Sequence, residues 1–124
     1  MHKAGKDVEQ LLPLKPADFE ILLALAAGEL HGYAIMKEVE KQSEGTVRLE
    51  VGSMYRMLGR MISRGLIAEA DAPEGEAPPS GRRRYFKITE TGIAAARAEA
   101  RRLKTALKTA SAHRLLEHEA GRDV

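Results

Sequence analysis

Arg56, Arg60 and Arg64 recur at four-residue intervals in the stretch 51–64, and no acidic residue interrupts it. A guanidinium stays charged at physiological pH and presents a rigid fork of donors, which suits phosphate oxygens and guanine edges. A second basic run, Gly81-Arg82-Arg83-Arg84-Tyr85-Phe86-Lys87, follows. The chemistry these residue types suit is recognition of a polyanion rather than bond making. Catalysis needs a nucleophile, acid or base set in a cleft, and the chain carries no phosphate loop, no H-E-x-x-H and no triad-like cluster. No catalytic residue is assigned. His113 and His118 stand five apart, off a common helical face, and cysteine is absent. No metal, disulfide or cofactor is therefore assigned.

Laid out at about 100° per residue, 51–64 becomes a helix with Met54, Leu58, Met61 and Ile62 on one face. Ser53, Arg56, Arg60, Ser63 and Arg64 lie opposite, Gly59 is on the outer side, and Gly65 stops the helix. Such a helix fits a major groove about 12 Å wide. Tyr55 lies between the faces and has two readings, a ring packed in the core or a hydroxyl aimed at DNA. A surface helix that carries arginines only to stay solvated is the alternative for the whole segment. The next element weighs against it. Residues 66–70 read as a strand, 71–81 as a Pro/Gly-rich loop and 82–88 as a second strand, with Arg84, Phe86 and Ile88 on one face and Arg83, Tyr85 and Lys87 on the other. In that hairpin Arg82, Arg83, Arg84 and Lys87 would lie along the DNA backbone or minor groove.

The elements that must hold this pair begin after a flexible N-terminal arm, 1–14, which ends in a short anchoring cluster, Leu11-Leu12-Pro13-Leu14. A helix starts at Pro16, with Phe19, Leu22, Leu23 and Ala26 as its apolar stripe and Gly28 as its stop. A second helix opens near Gly32-Tyr33 and buries Ile35, Met36 and Val39. Tyr33 there is either a packed aromatic or a neighbour of a phosphate held by helix N-terminal amides. After a turn at Ser43-Glu44-Gly45, residues 46–49 are at most a small strand. The order helix, helix, short strand, helix, strand, strand, helix is that of a winged helix. The expected fold is mainly α with a small β-hairpin wing, a winged helix-turn-helix over 15–90 plus a C-terminal dimerisation helix over 91–112 and a tail over 113–124.

Thr89 is placed to cap the last helix. Along it Ile93, Ala96, Ala100, Leu103, Leu107 and Ala110 repeat with spacings 3, 4, 3, 4, 3, an a/d seam that implies a partner helix. The other reading is an amphipathic helix packed only on its own domain. Arg97, Arg101, Arg102, Lys104 and Lys108 flank the seam.

The 124 residues fit one domain with an appendage. Net charge is only +2, yet residues 1–50 hold 6 basic and 9 acidic side chains against 14 and 9 in 51–124. The segregation of positive charge points to an acidic partner such as nucleic acid. No signal peptide or apolar span is present, so the expected location is the cytoplasm, away from membranes.

Gly52-Ser53-Met54-Tyr55-Arg56-Met57-Leu58, continuing to Arg64-Gly65-Leu66-Ile67, resembles the PadR family of winged-helix transcriptional regulators, whose recognition helix reads G-T-L-Y-x-x-L before a G-L-I strand start. His31-Gly32-Tyr33-Ala34-Ile35 is similar to the family's H-G-Y segment, Arg83-Arg84-Tyr85-Phe86 to its wing, and Thr89-Glu90-Thr91-Gly92 to its T-x-x-G entry to the last helix. The resemblance spans about residues 16–107. It implies a homodimer that binds double-stranded operator DNA, usually as a repressor, and often loses affinity when a small molecule or stress signal acts. It places Ser53, Tyr55 and Arg56 in the recognition helix and Arg82 to Lys87 in the wing. The short end of the chain resembles the subfamily with a single C-terminal dimerisation helix. Ser53, Met54 and Arg56 stand where members commonly have threonine, leucine and proline, so base preference does not carry over. With no tryptophan, an effector site cannot be built from stacked indoles. A winged helix that binds protein instead of DNA is the competing function.

Overall fold

The computed structural model describes residues 8–72 and 84–116. Its elements are α1 (Pro16–Leu25), β1 (Leu30–His31), α2 (Gly32–Gln42), α3 (Val51–Ser63), β2 (Ile67–Ala70), β3 (Tyr85–Ile88) and α4 (Glu90–Ala112). The strands form one antiparallel sheet in the order β1-β3-β2. This is the expected fold class, mainly helical with a small sheet, in winged-helix order.

Proline at the first position opens α1, where its missing N–H costs no helical bond. Asp18, Ile21, Leu22 and Leu25, at helical spacing, make its buried face. Of the expected stripe only Leu22 is buried. Phe19 is half-buried, Leu23 is 41% exposed and Ala26 is exposed. The segment is apolar on nearly every side, so periodicity alone does not choose its inward face. Packing against α2 and α4 chooses it. Between α1 and α2, the Gln42 side-chain amide donates to the Glu20 carbonyl at 2.7 Å and carboxylate at 2.9 Å.

Residues 46–49 form no strand. The Ser43 hydroxyl accepts the Val47 N–H at 3.0 Å and the Thr46 hydroxyl donates to the Ser43 carbonyl at 2.8 Å, so a side-chain-bonded turn takes groups that a ladder would use. The third strand is β1 instead, two residues that pair Leu30 with Phe86 and His31 with Tyr85.

Gly65, at φ 78°, ends α3 in the left-handed region that suits glycine. The hairpin then pairs Ile67 with Ile88 through Ala70 with Tyr85. The segment 73–83, with Arg82 and Arg83, lies outside the described residues. Phe86 is fully buried, as alternation predicts, but Tyr85 is buried too: β1 covers it, with the His31 ring edge-on at 5.4 Å. Thr89 caps α4 as expected, accepting the Gly92 N–H at 3.0 Å, and donates to the Gly65 carbonyl at 2.5 Å. That hydroxyl therefore joins the end of α3 to the start of α4.

The core gathers Ile21, Leu22, Ile35, Leu58, Met61 and Phe86 between the helices and the sheet. The arm is anchored at Leu14, as its leucine cluster suggests, and the packed part reaches further back than that cluster. Val8 and Leu14 are buried, so 8–14 pack on the core, while 1–7 lie outside the described residues. The tail is described only to residue 116. Among the described residues no helix is long and apolar enough to cross a membrane.

Candidate nucleic-acid interface

The buried face of α3 is Met54, Leu58 and Met61, with Ile62 half-buried. That leaves Gly52, Arg56, Gly59, Arg60 and Ser63 on an exposed stripe. A β-carbon added at Gly52 or Gly59 would meet nothing within 4 Å. The stripe is thus low before Arg56 and between Arg56 and Arg60, and a partner can come close to the helix backbone there. Ser53 is half-buried and its hydroxyl donates to the Glu50 carbonyl at 3.3 Å.

Tyr55 joins three elements. Its hydroxyl rests against Gly32 at the start of α2, where a β-carbon would collide with it. Its ring lies 6.5 Å from that of Phe86 on β3, and the Arg84 guanidinium sits 5.8 Å above it. At 37% exposure the tyrosine packs its ring and keeps an edge open to solvent. Tyr33 is not packed in the core. It is 61% exposed beside Lys37, whose ammonium lies 5.4 Å over the ring. At the same helix start the His31 imidazole accepts the Ala34 N–H at 3.2 Å.

The basic residues divide by partner. Arg56, Arg60 and Lys87 are exposed and make no hydrogen bond or ion pair with the other described residues. Arg84 is held by Glu69 across the hairpin and covers the rings of Tyr55 and Phe86. Arg64, capping the C-terminus of α3, faces the buried Asp18 of α1 at 3.9 Å. Sequence reasoning missed Gly32, Asp18 and Glu69 in these roles. Only the H-G-Y pattern marked Gly32, and neither carboxylate lies at helical or strand spacing from its arginine.

On α4 the domain uses Gly92, Ala95 and Glu99 for its own packing. The a/d seam lies beside that face: Ile93 is 39% and Leu107 54% exposed, Ala100 is exposed, and Ala96, Leu103 and Ala110 are half-buried. Ala96 packs against the core of its own domain, whereas Ile93, Ala100 and Leu107 are left exposed by it. Glu99 accepts the Leu14 N–H at 3.1 Å and two donors of Arg102 at 3.1 and 2.6 Å. The Arg102 hydrogen bonds hold its carboxyl below the ordinary range, helped by Leu14 and opposed by burial.

Residues 21–98 match the Transcriptional regulator PadR-like family. Comparison with curated proteins finds no match. Among solved structures, a PadR family transcription regulator from hypervirulent Clostridium difficile R20291 is 25% identical with a TM-score of 0.65, over 80% of this chain and 98% of that one. A PadR-like transcriptional regulator from Bacillus cereus is 22% identical with a TM-score of 0.63, over 86% and 93%. Bacillus subtilis PadR, solved in complex with operator DNA, is 19% identical with a TM-score of 0.55, over 72% of this chain and 47% of that one. The matched segment is more than half of the sequence and contains α2, α3, the hairpin strands and the start of α4, and the chain belongs to the PadR-like family of transcriptional regulators.

Proposed function

We propose that the protein is a sequence-specific DNA-binding repressor, acting as a homodimer on an inverted-repeat operator and released by a small-molecule or stress signal. The observation that carries the reading is the exposed stripe of α3, where Arg56 and Arg60 have no partner among the described residues and the backbone is bare at Gly52 and Gly59. In this reading α3 enters the major groove, with Ser53 and Arg56 toward the bases, Arg60 toward a base edge and the phosphates beside it, the open edge of Tyr55 lining the approach, and Tyr33 and Lys87 toward phosphates. Arg82 and Arg83 extend the phosphate contacts along the wing. Arg84 acts from the base of the wing, through Tyr55.

The dimer rests on the a/d seam of α4. Two-fold pairing there presents two copies of α3 to one duplex, which calls for half-sites about one helical turn, roughly 34–36 Å, apart. Operator binding by the Bacillus subtilis PadR neighbour supports the same reading. Selection of bound duplexes from a random pool by the purified protein tests it. An enriched inverted repeat is the expected result, with affinity falling about 10³- to 10⁵-fold between about 50 and 200 mM salt if 6–10 phosphates are contacted. No enriched sequence, with weak binding indifferent to salt, would favour a protein-interaction module instead.

A further inference from the structure

We infer that Asp18 and Glu99 are positioning residues for DNA reading: they pin the start of α1 between α3 and α4, and Asp18 holds Arg64 away from DNA. The inference rests on the proposed reading, with α3 as the DNA-reading helix and α4 as the dimer helix. Asp18 and Glu99, 1% and 2% exposed, are the buried charged residues among those described. Both act at the same place. Glu99 of α4 grips the Leu14 N–H just before α1, and Asp18 lies in the first turn of α1, facing Arg64 at the end of α3.

A buried carboxylate is a poor stabiliser unless fully paired, and apolar replacements of buried ion pairs are often at least as stable. Glu99 is fully engaged, by Leu14 and by two donors of Arg102. Asp18 is not: its Oδ1 has no hydrogen-bond partner among the described residues, and its other oxygen has Arg64 at 3.9 Å. Stability alone gives little reason for a carboxylate there. Position does, because the pair fixes where the end of α3 sits against α1. Glu99 fixes where α1 sits against the helix that carries the seam. Together the two links set how each α3 is held relative to the dimer axis. Arg64 is thereby unlike Arg56 and Arg60, since moving it to a phosphate would leave Asp18 buried without a counter-charge.

The test compares Asp18→Asn, Arg64→Gln, their double variant, Glu99→Gln and Arg60→Gln by thermal melting and by titration with two duplexes. One is a random-sequence duplex of about three helical turns; the other is an inverted repeat recovered by selection. Arg64→Gln should lower the melting temperature by a few degrees, and adding Asp18→Asn should recover at least about half of that. On the random duplex Arg64→Gln should keep the wild-type salt slope, whereas Arg60→Gln flattens it by about 0.9 for each phosphate that the protein no longer neutralises. Asp18→Asn and Glu99→Gln should each cut the ratio of selected to random affinity at least about fivefold and leave random-duplex affinity unchanged, which mere loss of stability does not do. If Arg64→Gln does not fold, the salt slope is read on the Asp18→Asn/Arg64→Gln double variant, which lacks the same positive charge. The inference is overturned by a flattened slope in the Arg64 variant, by no recovery in the double variant, or by unchanged ratios in the Asp18 and Glu99 variants. An unchanged slope for Arg60→Gln would instead count against α3 as the DNA-reading helix, while the melting results would still report on the tie.

Discussion

The hydroxyl of Tyr55 on α3 rests against the α-carbon of Gly32 on α2, so the start of one helix is shaped to admit a side chain of the other. Gly32→Ala would drive a methyl group into that hydroxyl and toward the Met54 methyl, 3.1 Å away. The expected cost is about 1–3 kcal/mol, the usual range for overpacking. Because the collision is with Tyr55, the cost should shrink in a Tyr55→Ala background. Melting of the two single variants and the double one measures the coupling, and additive effects would mean that the two residues do not touch.

Gly59 offers a test in which stability and binding move in opposite directions. A glycine inside a helix is less stable than alanine by about 0.5–1 kcal/mol, and the space outside Gly59 is empty. Gly59→Ala should therefore raise the melting temperature and weaken DNA binding, because its methyl group enters the gap that a duplex needs. Equal or tighter binding by the stabilised variant would show that DNA does not approach this part of α3.

Acid should weaken the attachment of 8–14 to α4. The Glu99 carboxyl titrates below its ordinary range when folded, chiefly through Arg102. The unfolded chain thus takes up this proton first, near the usual value of about 4.3, and the stability Glu99 contributes is present above that pH and lost as pH falls through the folded value. The gap in melting temperature between wild type and Glu99→Gln should be constant near neutrality and close below about pH 4. A gap independent of pH would contradict the assignment.

The seam predicts the behaviour of Leu103 and Leu107. Replacing both with Glu places like charges against their symmetry mates, so the dimer should dissociate in sedimentation and protection of an inverted repeat should collapse. A variant that stays dimeric and protects the same repeat would move the interface off α4.

The long, strongly periodic elements were legible in the sequence. The two faces of α3, its stop at Gly65, the cap at Thr89 and the extent of α4 follow from local patterns of polarity and turn chemistry. What escaped was decided by tertiary contact. The inward face of α1 was ambiguous because 19–26 are apolar nearly all round, and β1 is too short to signal itself. Residues 46–49 look like a strand until the Ser43 hydroxyl bonds the turn. The same limit applied at the interface: Arg64 and Arg84 look like Arg56 and Arg60 in the sequence, and only the fold brings Asp18 and Glu69 to them.

In the proposed function the exposed arginines of α3, Arg56 and Arg60, read DNA. Fluorescence-anisotropy titration of a selected inverted-repeat duplex with wild type, Arg56→Ala and Arg60→Ala tests it most directly, with far-UV circular dichroism and melting as controls. Each substitution should weaken binding, by about 1–3 kcal/mol where the arginine meets a guanine in bidentate fashion, and leave the fold and melting temperature nearly unchanged. Wild-type affinity in both variants would contradict the account.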